Sequence, residues 1–342
     1  MRRSHRICRS LSEVLLLLAA AWLVPGSAAA QAVPAIPAAD RIRLAEVYRL
    51  AEQIQDKIWP GWSKAPFAIL LVTPDYEFLV RHPEPTKEFT DAGYDALLKS
   101  NVFYRKRQFD PGLLATFPAV GSVPTIVVGQ AERTDSKTST PWVITLLPEH
   151  FHQLEYSQPG YYAETDALNL AGGDKSGMWM LNYPFPYGKE EVQKAFHAMC
   201  EALSAAVAAP DAAALQEKLA AYRKVREDFK KLLSETDYRY LSFQNWQEGV
   251  ARYSELRAAE LAAAEYTPTA EFQKLADYTP FSQVAEYWRK NILGELPGLS
   301  LGNYKRGVFY ILGAAEALLL DRANPAWKKK FFEQKFYFEN YY

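Results

Sequence analysis

The chain has 342 residues, 39 Lys and Arg against 40 Asp and Glu, and a formal net charge of −1. Near-neutrality, with no basic stripe interleaved with aromatics, excludes a polyanion-binding surface and sets nucleic acid aside as a partner. The two cysteines, Cys8 and Cys200, lie on opposite sides of an expected cleavage point, so the processed chain has no internal disulfide.

Residues 1–30 read as a secretory signal peptide. Arg2, Arg3, Arg6 and Arg9 form a basic leader, Val14–Val24 is an apolar run, and the small residues Ala28, Ala29 and Ala30 offer the cleavage site. Removing them leaves 35 basic and 39 acidic residues, a net charge of −4. The expectation is an exported protein, periplasmic or secreted, with no membrane span once the signal is removed. Residues 31–38, QAVPAIPA, are a linker.

From Asp40 the spacing of Ile42, Leu44, Val47, Leu50, Ile54 and Ile58 predicts a helix, closed by Pro60-Gly61. The pattern then shortens. FAILLVT (67–73), EFLVRH (77–82), NVFYRKRQF (101–109), TIVVGQ (125–130) and WVITLL (142–147) read as strands of a mixed sheet. Beyond residue 188 the chain is helical: a hairpin around Pro210, a helix over 242–266, others over 270–278, 281–293 and 304–321, and a short last one from Pro325. Strands followed by helices give an α+β fold: an N-terminal helix and mixed sheet, a motif helix, then a mainly α-helical half. The expected subdomains are 39–188, sheet through aromatic loop, and 189–342, helical.

LLPEHFHQLEY, residues 146–156, packs Glu149, His150, His152 and Glu155 into seven positions of a chain with five histidines. In an HExxH helix the i, i+4 histidines reach one zinc and the glutamate activates its water. Here Pro148 stands where the first histidine belongs, and His150 lies about 200° around the helix from His152. Read as a strand, His150 and His152 would share a face. Pro148 favours a helix starting at or near it, fed by ITLL as a strand. A second segment, NWQEGVARYSEL (245–256), carries Glu248 before Gly249 and Ala251, small residues that let helices approach closely.

Together, PEHFH and QEGVARYSE resemble the gluzincin metallopeptidases, particularly the aminopeptidase-N-like branch, in which a segment of the NEGFAxYxE type follows the HExxH helix. The resemblance implies zinc, with His152 and Glu248 as ligands and Glu149 as general base. The remaining ligand falls on Pro148, which cannot bind metal, and 96 positions separate His152 from Glu248, unlike that branch. His150, Glu155, His82 and His197 are the candidate replacements. The family also uses a tyrosine beyond the motifs to steady the tetrahedral intermediate, for which Tyr304 or Tyr310 is the candidate, with Tyr253 also near the motif. Activity then implies peptide-bond hydrolysis if the site is rebuilt; otherwise the protein is a pseudopeptidase, or a non-catalytic binding protein for a peptide or glycan.

LAGGDKSGMWMLNYPFPYG, residues 170–188, reads as a glycine-rich loop followed by aromatics. Trp179, Asn182 and Tyr183 are candidates for a substrate-binding cleft wall; a buried aromatic plug is the competing expectation. His82 reads as a surface histidine, and His197 and Cys200 as packing residues.

Overall fold

A computed structural model describes residues 33–342; the signal peptide read from the sequence lies outside them. Residues Pro34–Tyr342 form one compact unit of α+β type. Among the described residues no helix is long and apolar enough to cross a membrane.

Helix α1 (Ala38–Ile58) opens the fold. Six strands follow: β1 (Ile69–Val72), β2 (Tyr76–Val80), β3 (Thr90–Asp95), β4 (Ser100–Lys106), β5 (Leu114–Val120) and β6 (Val123–Gly129). They form one sheet in the order β3-β4-β2-β1-β6-β5. Only β1 and β6 run parallel, Ile69 opposite Ile126; the other pairs are antiparallel. Alternation divides the sheet residues between two cores. Ile69, Leu71, Phe78, Val80, Ile126 and Val128 face the main core shared with the helices. Leu70, Val72, Leu79 and Val127 face a smaller one with Phe89 and Val120.

The strand expected at 142–147 is helix. Helix α2 runs Ser139–Tyr156, so Pro148 sits inside it rather than at its start. Trp142, Val143, Ile144, Leu146 and Leu147 are all buried, because α2 is wedged between sheet and helices. Over Trp142–Leu147 the helix is apolar on almost every side, carries little amphipathic period and resembles a buried strand in sequence. Pro148 supplies no N–H to the Ile144 carbonyl, a loss that tertiary packing offsets. Gln153 ties α2 to the sheet by donating to the Ala68 and Pro124 carbonyls, both at 2.9 Å. The α2 N-terminus is capped from a distance: Asp277 accepts from the Ser139 backbone N–H at 2.9 Å and from its hydroxyl at 2.6 Å.

The helical half contains α3 (Tyr161–Ala167), α4 (Trp179–Asn182), the antiparallel hairpin α5 (Glu190–Val207) and α6 (Ala212–Lys230), α7 (Glu235–Gln244), α8 (Val250–Glu265), α9 (Ala270–Gln273), α10 (Phe281–Glu295), α11 (Leu301–Tyr304), α12 (Val308–Ala323) and α13 (Lys328–Phe331). Helices α7 and α8 are joined without a break by a π-helical turn, Asn245–Gly249, which carries Glu248. This turn is pressed against α12. A Cβ on Gly249 would come within 2.5 Å of Gly313 Cα, and one on Gly313 within 2.5 Å of the Asn245 carbonyl oxygen. Only glycine at both positions allows that approach.

Candidate functional site

Helices α2 and α8 pack against each other, and the cleft of about 800 Å³ beside them holds Pro148, Glu149, His152 and Glu248. Pro148 and His152 are four apart on one face of α2, so the ring of Pro148 fills the place one turn before the imidazole. Opposite, His152 Nε2 lies 3.7 Å from Glu248 Oε2. His152 Nδ1 is 2.7 Å from Glu155 Oε2, the other Glu155 oxygen being buried without a hydrogen-bond partner among the described residues. Glu149 Oε2 accepts from the Thr116 hydroxyl of β5 at 2.6 Å. Glu248 is flanked by Arg306, 3.4 Å from its Oε1, and Arg306 donates to the Tyr310 hydroxyl at 2.8 Å.

The cluster's charges are set by burial and by each other. Burial alone would push the His152 imidazolium down; its hydrogen bond to Glu155 and the neighbouring carboxylates of Glu155, Glu248 and Glu149 outweigh this and hold its pKa up at about 9. Burial raises Glu149 above the usual carboxylate range, with His152 and Thr116 holding it back. Burial also raises Tyr310, and Glu248 beside it adds to the effect. Burial likewise pushes Glu155 up to about 8, against the pull of His152, so the cluster is a buried imidazole sharing its charge with Glu155 and with Glu149 and Glu248 of the cleft wall.

His150 is not part of it. Its ring points to the opposite side of α2, stacked on Phe67 with centroids 3.8 Å apart and on Trp62 at 5.4 Å. Gln153 and Gln55 take its two nitrogens at 2.9 and 3.1 Å. Burial pushes its pKa down to about 3 and keeps it neutral; its place on the opposite face of α2 is what removes it from the ligand set. Tyr304 is exposed on the surface, whereas Tyr310, the alternative, lines the cleft. Tyr253 is buried against Trp59 and Trp327, with its hydroxyl on Asp321.

Trp179, Asn182 and Tyr183 are absent from the cleft lining. Trp179 packs on Phe243 at 5.2 Å and Tyr183 stacks on Tyr240 at 4.2 Å, both half-buried on α7, while Asn182 is exposed. His82 is buried rather than exposed, with Nε2 3.2 Å from the Val120 carbonyl. His197 is exposed on α5 and 3.6 Å from Glu201, and Cys200 is buried.

With His152 deprotonated, its Nε2 and Glu248 Oε2 would be close enough to share one ion. Bonds of about 2.0–2.2 Å to zinc span the 3.7 Å between His152 Nε2 and Glu248 Oε2. A Glu155 carboxylate on the far nitrogen is the outer-shell partner that a ligating imidazole uses. The third donor is missing: Pro148 offers only carbon, and His150 is held on the other face. Among the described residues no group of three or more His, Cys, Asp or Glu side chains is arranged to hold a metal ion. The residues present do not fit a catalytic zinc.

The rest of the cleft escaped sequence reasoning. Leu113 and Leu114 at the β5 edge form one side, and Val284, Tyr287 and Trp288 of α10 the other. Arg252 and Glu255, four and seven residues after Glu248, continue its face along α8. That spacing was available in the sequence; Thr116 and Trp288 had no local signal. No family model, no curated protein and no solved structure matches the chain.

Proposed function

We propose that the mature chain is an exported pseudopeptidase of gluzincin type, which holds a peptide in the cleft without cutting it. One observation carries the reading. Pro148 and His152 lie one helical turn apart on the cleft wall with Glu248 opposite, a two-donor remnant of a three-donor site. The pairing of a PEHFH helix with a QEGVARYSE helix supports the family resemblance, and the loss of one nitrogen donor supports loss of hydrolysis. A peptide is favoured over a glycan because β5 ends the sheet and Leu114, its first residue, lines the cleft. An extended chain can pair with such an edge.

Internally quenched peptide libraries test this on the mature protein with zinc added. No turnover is expected, and Glu149→Gln should change nothing, while the uncut peptides raise fluorescence anisotropy on binding. Zinc-dependent turnover abolished by Glu149→Gln would overturn the proposal in favour of a working peptidase.

A further inference from the structure

Beside the two-donor remnant, the cleft contains a guanidinium held in a fixed orientation. Arg252 follows Glu248 by four residues and lines the cleft one turn further along. Its Cζ lies 3.8 Å from the centroid of the Trp288 ring and 5.6 Å from that of Tyr310. One nitrogen, Nη1, donates to Glu255. That carboxylate is buried and has other donors, the Thr145 hydroxyl at 3.2 Å and the Trp288 indole. The stack fixes the plane of the fork, and the ion pair fixes its rotation within that plane.

Neutralising Glu255 accounts for one edge of Arg252. The side chain keeps 22% of its surface exposed, and the bond to Glu255 is its one hydrogen bond among the described residues. Its other N–H groups have no hydrogen-bond partner among the described residues, and Arg252 lines the cleft. A planar guanidinium, pre-oriented and stacked on an aromatic ring, matches a carboxylate with two parallel hydrogen bonds. The surroundings suit such a ligand: Pro148, Ala251 and Val284 are apolar, and the hydroxyls of Thr145 and Ser136 stand on the adjacent wall.

We propose that Arg252 is the specificity residue of the cleft and binds a carboxylate of the ligand, the C-terminal carboxylate of a short peptide. This rests on the reading of the cleft as a peptide site. The geometry assigns Trp288 and Glu255 as positioning residues that hold the fork in plane.

The test compares the tripeptide Gly-Ala-Phe as free acid with its C-terminal amide, and adds 3-phenylpropionate as a non-peptide carboxylate, by calorimetry on the mature protein. The free acid is expected to bind at least about tenfold more tightly than the amide. Arg252→Met should remove that ratio, so that acid and amide bind with equal affinity. Arg252→Lys, which keeps the charge but not the fork, should retain only part of it. The wild-type comparison needs no variant, so a folding defect in Arg252→Met cannot decide the result. Equal binding of acid and amide would overturn the role of Arg252 and leave the peptide reading standing. Arg252-dependent binding of 3-phenylpropionate without either peptide would support the carboxylate site and overturn the peptide reading. Binding of none of the three would overturn the proposal.

Discussion

His150 and His152 differ by two positions on α2 and differ in every physical respect. A rotation of about 200° sends one imidazole between Phe67 and Trp62 and the other into the carboxylate cluster. The first is kept neutral by burial, the second kept charged by Glu155 and its neighbours. The sequence could supply the angle but not which face was the cleft, so His150 stayed a candidate ligand until its partners were visible.

Its burial has a consequence for acid stability. In the unfolded chain a histidine takes up its proton near pH 6.5, in the folded one only near about 3. Between those values the unfolded chain binds more protons, so stability falls as pH drops from 6.5 towards 3, by up to about 1.4 kcal/mol per pH unit from this group. His150→Gln should flatten the dependence by about that slope between pH 4 and 6 in urea denaturation, at a cost of about 1–2 kcal/mol near pH 7. Equal slopes in the two proteins would show that His150 does not carry the acid limb.

At the scale of elements, the decisive contact is between the π-helical turn bearing Glu248 and α12. Gly249 and Gly313 bring the two backbones into contact, and Asn245, Glu316, Tyr222 and Arg226 lock the neighbouring turn with buried hydrogen bonds. Backbone packing thus places Glu248 opposite His152, and Arg306 holds its other oxygen at 3.4 Å. Gly249→Ala should cost about 2–3 kcal/mol, since the new methyl meets backbone that cannot swing aside. Gly298→Ala, with nothing within 4 Å of the added carbon, should be near neutral in the same thermal melts. A neutral Gly249→Ala would mean the helices can part, and the aim of Glu248 would need another cause.

Elements were legible where periodicity was one-sided. The hairpin α5–α6 and helices α1, α8, α10 and α12 each bury one face or carry clear stops. Strand β3 was missed because, as an edge strand reading TDAGYD with a bulge near Gly93, it has no apolar alternation. Strand β5 was missed because Pro118 interrupts it, tolerated where the register slips between Phe117 and Val120 at the sheet edge. That omission also hid Thr116, the partner of Glu149. The WVITLL segment reads as a strand because five of its six residues are apolar and all but Thr145 are buried, which hides the helical period.

Over the whole molecule, the sheet and the helices share one core, and α2 runs through it as the common wall. The cleft opens where β5, α2, α8, α10 and α12 meet, so its residues come from segments almost 200 positions apart, from Gly112 to Tyr310. The two motif segments make Pro148, Glu149, His152 and Glu248 legible in the sequence; the pairing of Arg252 with Trp288 is a product of the fold. The proposed pseudopeptidase role turns on the missing donor at position 148, a claim about metal affinity before it is one about activity. Zinc titration against a chromophoric chelator, on wild type and Pro148→His in parallel, measures it directly. No tight zinc is expected in the wild type and one equivalent in Pro148→His, where a histidine one turn before His152 completes the set with Glu248. One equivalent of zinc already held by the wild type, and lost in His152→Ala or Glu248→Ala, would contradict it.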